Sequence, residues 1–103
     1  MEGGSAKVMK KIEKEIMGFN ILNVKIESTG LRGGDSGHGG RTVFRLEDHA
    51  STSWNLKYEE NLSGVTNVEQ PQAIEIELLG DSELETFVKA LEFAVEELKK
   101  IKR

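Results

Sequence analysis

Leu22-Asn23-Val24-Lys25-Ile26-Glu27 places an apolar side chain at every second position, which is the period of a strand with one buried face and one wet face. The same alternation returns three times. Val43, Phe44 and Leu46 interleave with Arg45 and Glu47; Trp54, Leu56 and Tyr58 with Asn55, Lys57 and Glu59; Ile74, Ile76 and Leu78 with Glu75 and Glu77. Four strands are therefore expected. Residues 60–72, with Gly64, Asn67 and the single proline Pro71, read as a looser connection between the last two.

On either side of these strands the spacing becomes helical. Val8, Met9, Ile12 and Ile16 recur at intervals of three and four, with Ser5 placed as an N-cap and Gly18 as a stop, which predicts a helix over 5–17. Ser82-Glu83-Leu84-Glu85 has the capping-box pattern, and Leu84, Phe87, Val88, Leu91, Val95, Leu98 and Ile101 continue as one apolar stripe. The expected fold is α+β: a four-stranded antiparallel sheet with N- and C-terminal helices packed on one face, a two-layer sandwich with Trp54 and the methionines in its core. With 103 residues the chain has room for a single domain, residues 1–4 reading as a disordered or tag-derived start. A helix over 82–102 spans roughly 30 Å against roughly 20 Å for a six-residue strand. Its overhanging apolar turns imply a homo-oligomer built through the C-terminal helix, the competing reading being a helix that crosses the sheet diagonally.

Between the first two strands lies Gly30 to Thr42, which holds over half of the chain's 11 glycines. Glycine is costly to order, so this density calls for backbone at positive φ or backbone in close approach to something else. The segment also concentrates arginine: Arg32, Arg41 and, at its exit, Arg45 lie in a stretch without lysine from Ile26 to Ser53. A glycine-rich loop can aim successive N–H groups at an anion, and the planar guanidinium forks add charge-assisted bonds to phosphate or carboxylate. The candidate ligand-binding residues are Arg32, Gly33, Gly34, Ser36, Gly37, His38, Gly39, Gly40, Arg41 and Arg45. An internal pair between an arginine and Asp35 is the competing use of the same loop.

Other chemistries fit less well. Arg41 stands where a nucleotide-binding P-loop needs lysine, and a strand rather than a helix follows, which also removes the dinucleotide fingerprint. Gly34-Asp35-Ser36-Gly37 is similar to the nucleophile segment of chymotrypsin-like proteases, but both histidines follow Ser36 and the chain is too short for two barrels. The absence of cysteine excludes disulfides and thiolate metal sites, and Asp35, His38, Asp48 and His49 lack a metal-site spacing. No metal, cofactor or catalytic residue is therefore assigned. A net charge of -4 argues against general nucleic-acid binding, and the lack of a leader or a long apolar run implies a cytoplasmic chain with no membrane partner.

The loop Arg32-Gly33-Gly34-Asp35-Ser36-Gly37-His38-Gly39-Gly40-Arg41-Thr42, the following Leu46-Glu47-Asp48 and the helix-ended domain resemble small uncharacterised accessory proteins encoded by bacteriophages. The resemblance implies binding rather than turnover, in the host cytoplasm, through inhibition of a host factor or sequestration of a signalling molecule. The expected function is non-enzymatic capture of an anionic, phosphate-bearing, nucleotide-like small molecule at the Gly/Arg loop. The alternatives are an acidic protein-interaction module that inhibits a host nucleic-acid-binding protein, and a small phosphoester hydrolase using His38 or His49 as general base.

Overall fold

A computed structural model describes residues 9–35 and 37–102. In chain order the elements are β1 (Lys10–Met17), β2 (Ile21–Ser28), β3 (Thr42–Ala50), β4 (Asn55–Glu60), β5 (Gly64–Glu69), β6 (Ala73–Leu78) and α1 (Asp81–Ile101). The protein is α+β, with a four-stranded antiparallel sheet in the order β1-β2-β3-β6 and a separate two-stranded sheet of β4 and β5. The contacts divide the chain into two compact units. One holds most of the strands, Lys11–Glu27 and Val43–Ile76; the other is built on Ser28–Thr42 and the chain from Glu77.

The main sheet has the two faces that its alternation dictates. Leu22, Val24 and Ile26 of β2 share a face with Phe44 and Leu46 of β3 and Ile74 of β6, all half-buried. The opposite face carries Glu13, Glu15, Asn23, Arg45, Glu47, His49 and Glu75. Here the Asn23 amide donates to Glu13 at 2.8 Å, and Arg45 meets Glu75 at 3.3 Å.

Three expectations require correction. Residues 10–17 form a strand rather than a helix, while residues 5–8 of the expected helix, like residues 1–4, lie outside the described residues. Ile12 and Ile16, four apart, satisfy both periods. The three-residue link Gly18-Phe19-Asn20 decides between them by folding this segment back beside β2, so one terminal helix is present among the described residues rather than two. Second, the strand around Trp54–Glu59 leaves the main sheet and pairs with β5, in the register Asn55↔Glu69 to Glu60↔Gly64. The connection read as loose is half of that hairpin. Val65 and Val68 point to opposite faces of β5, so no alternation marked it, and Gly64 at φ 87 closes its three-residue turn.

The third correction concerns the core. No large apolar side chain among the described residues is buried; the buried residues are the polar Asn23, Thr42 and Thr52, with Gly40 and Gly80. Trp54 is half-buried at the base of the hairpin, its indole N–H donating to the Pro71 carbonyl at 2.7 Å, and Met17 is exposed. None of the 21 residues of α1 is buried.

Candidate functional site: a latched glycine loop

Residues 29–35 and 37–41 lie against each other as a narrow double strand. The Thr29 N–H donates to the Arg41 carbonyl at 3.0 Å, and the Arg41 N–H returns a 3.0 Å bond to Thr29 Oγ1. Further out the two halves come so close that side chains are excluded. A Cβ on Gly40 would collide with the Gly30 carbonyl oxygen, and one on Gly39, which sits at φ 101, with the backbone of Gly34. Close approach of the loop to itself thus accounts for these glycines.

The loop is joined to the start of α1 by bonds running both ways. The helix gives its first N–H groups to the loop: that of Asp81 to the Gly34 carbonyl at 2.7 Å, and that of Ser82 to Asp35 Oδ1 at 2.6 Å. In return the Asp81 carboxylate accepts from the loop backbone. The Arg32 N–H straddles both oxygens at 3.0 and 2.9 Å, the Gly40 N–H reaches Oδ1 at 2.9 Å, and the Gly33 N–H reaches Oδ2. These bonds, Arg32 first and then Gly40 and Gly33, hold the Asp81 pKa below the ordinary carboxylate value. The Gly37 N–H donates to the Leu79 carbonyl and the His38 N–H to the Asp35 carbonyl, so these amides are engaged too.

This geometry revises two readings of the sequence. The helix begins at Asp81 with Gly80 as N-cap and no side-chain cap of its own, so the Ser82 capping box does not form. Asp35 caps the helix from the loop instead, and that is its partner where an arginine was expected. Asp81 was the residue that sequence reasoning missed; its one signal is a carboxylate beside Gly80 ahead of the apolar stripe. Of the loop N–H groups expected to receive an anionic ligand, those of Arg32, Gly33 and Gly40 converge on the chain's own Asp81 carboxylate.

Arg32, Gly33, Gly34, Gly37, His38, Gly39, Gly40 and Arg41 share the loop, and Ser36 lies outside the described residues. Thr29, Arg32, Gly39 and Arg41 line a cleft of about 270 Å³, in which the Arg41 guanidinium also donates to the Gly37 carbonyl at 3.4 Å. Arg45 belongs to β3, where Glu75 at 3.3 Å and Glu47 at 3.7 Å engage it. Of the four residues weighed as metal ligands, Asp35 caps the helix and accepts the His38 N–H at its carbonyl, Asp48 accepts the Thr52 N–H at 3.1 Å, and His49 Nδ1 pairs with Glu15 at 2.7 Å. The hydrogen bond with Glu15 raises the His49 pKa, against a smaller desolvation effect. Among the described residues, no group of three His, Asp or Glu side chains is arranged to hold a metal ion, and no helix is long and apolar enough to cross a membrane. Comparison with protein families, characterised proteins and solved structures finds no match.

Proposed function

We propose that the chain is a non-enzymatic binding protein that captures an anionic, phosphate-bearing, nucleotide-like small molecule, using Arg32 and Arg41 at the edge of the latched loop. The observation that carries this reading is the convergence of the two residues, nine apart in sequence, on one cleft with Thr29 and Gly39. Two arginines on a loop fixed by Asp81 bring bidentate-capable donors to one cleft, on backbone that needs little further ordering on binding. At about 270 Å³ the cleft falls below the roughly 300–1,000 Å³ of pockets that enclose drug-sized ligands. It suits a phosphate or diphosphate group, with the rest of the ligand lying outside. The bacteriophage setting implied by the sequence makes sequestration of a host signalling or defence nucleotide the corresponding role, carried out by a homo-oligomer.

The protein-interaction alternative has less support. The polar face of the main sheet pairs its charges, Arg45 with Glu75 and His49 with Glu15, rather than presenting one sign. Equilibrium dialysis against inorganic pyrophosphate and a panel of nucleoside phosphates tests the proposal. Saturable binding at a fixed ratio, weakened at least tenfold by Arg32→Ala and by Arg41→Ala, is the expected result. Equal binding by both variants and wild type removes the site from the loop.

A further inference from the structure

We infer that α1 is a dimerisation helix, pairing antiparallel with α1 of a second copy of this chain along Leu84, Val88, Leu91, Val95 and Leu98. This deepens the homo-oligomer part of the proposed function and rests on it. The five residues are spaced four, three, four and three apart. That is a heptad seam, with valine at one core position and leucine at the other. The seam lies open in the single chain: Val88 is 43% exposed, Leu91 36%, Val95 46% and Leu98 56%. The more covered residues of the helix are Asp81, Glu83, Leu84, Phe87, Ala94 and Glu97, of which Leu84 alone lies on the seam, at its half-buried N-terminal end.

A second copy fits this seam because knobs-into-holes packing needs the same spacing on both sides, and the helix supplies it to itself. Charge sets the direction. Asp81, Glu83 and Glu85 lie at the N-terminal end and Lys99, Lys100 and Lys102 at the C-terminal end. Antiparallel pairing about a twofold axis near Leu91 brings Glu85 of each copy to Lys99 of the other and opposes the helix dipoles, whereas parallel pairing stacks like charges at both ends. Glu92 would meet its own copy near the axis, a single like-charge contact set against two acid–base ends.

Reversing one exposed charge distinguishes the two directions by sign. In sedimentation velocity at low salt, Glu85→Lys is expected to weaken the wild-type dimer by about threefold to tenfold, the scale of one exposed pair repeated by symmetry, and Lys99→Glu added to it is expected to restore the dimer. A parallel pair predicts tighter association for Glu85→Lys alone, and that result overturns the inference. Because the chain has no cysteine, a spin label on Lys102→Cys reports the geometry independently. The expected separation is about 30 Å from the helical rise, and about 10 Å, the spacing of adjacent helix axes, overturns antiparallel pairing. A wild-type monomer at all concentrations overturns this inference and the oligomer reading together. Pyrophosphate dialysis on the same preparation scores the loop site separately. A dimer that persists in Leu91→Lys, with its helical circular dichroism intact, places the interface elsewhere and overturns the seam.

Discussion

The glycine loop and the C-terminal helix meet at Asp81, yet they satisfy their physical demands in opposite ways. The loop contains almost no apolar surface and is held by hydrogen bonds that close on themselves, from loop amides to Asp81 and from helix amides to Gly34 and Asp35. The helix is rich in apolar side chains and buries none of them. A polar substructure can be completed within one chain, since each donor needs only one acceptor at the right distance. An apolar stripe needs area, and area comes only from another surface. The two regions should therefore respond differently to perturbation, the loop to single atoms and the helix to protein concentration.

The most damaging single change to the loop is expected at Gly39. Gly39→Ala must hold a side chain at φ 101 and displace the Gly34 backbone as well. Its cost should exceed the about 1–3 kcal/mol of an unfavourable backbone conformation alone. Urea unfolding of the variant beside Gly33→Ala tests this. Gly33 has φ 86 but open space around its Cβ, so it should lose only the conformational part. Equal losses for the two would mean that the loop halves do not approach as closely as described.

The next effect down is the latch. Asp81→Ala leaves the N–H groups of Arg32, Gly33 and Gly40 without their acceptor, so hydrogen exchange should accelerate at these three while the middle of α1 keeps its protection. The pH dependence has a definite sign. The carboxyl pKa is lower in the folded protein than its unfolded value of about 3.9, so the latch is fully present above that pH and is lost as pH falls through the lowered value. Exchange at the same three amides, normalised for its intrinsic pH dependence, should rise on acidification in the wild type and stay flat in Asp81→Ala. If both proteins behave alike, the carboxylate is not what holds the loop.

Much of this was legible in the chain before any coordinates, and the exceptions have physical reasons. Alternation located β2, β3, β4 and β6, because each has apolar residues two apart on a face that one residue's slip would expose. Period alone could not place β1, whose Ile12 and Ile16 fit a helix equally well, nor β5, whose two valines fall on opposite faces. The glycine density correctly signalled close backbone approach, but what approaches is the loop's other half, and Asp81 lies 41 residues beyond Gly40. A hydrogen-bond partner that distant leaves no local period, and the capping box at Ser82 offered a nearer and wrong explanation of the helix start. Composition groups Arg32 and Arg41, which line one cleft, with Arg45, which belongs to the sheet.

The smallest effect expected is at His49, on the sheet's polar face. Its raised pKa comes first from the hydrogen bond with Glu15, with Glu47 at 3.9 Å from the other ring nitrogen adding to it. A group whose folded pKa lies above its unfolded value of about 6.5 stabilises fully below that value, and the contribution disappears as pH rises through the raised folded pKa. Stability should therefore fall slightly from mildly acidic to alkaline pH in the wild type, and the slope should shrink in Glu15→Gln, which keeps a hydrogen-bonding side chain but removes the charge, with Glu47 and Glu13 still acting on the ring. Ring-proton titration by NMR gives the direct reading: the His49 midpoint should lie above the ordinary histidine value of about 6.5 and drop in the variant. Because the pair is exposed on both sides, salt should erode the difference. The latch amides of Arg32, Gly33 and Gly40, whose partner is a fixed carboxylate in the other compact unit, should be indifferent to both the variant and the salt. A shared response would tie the two regions together and overturn the view that each is satisfied separately.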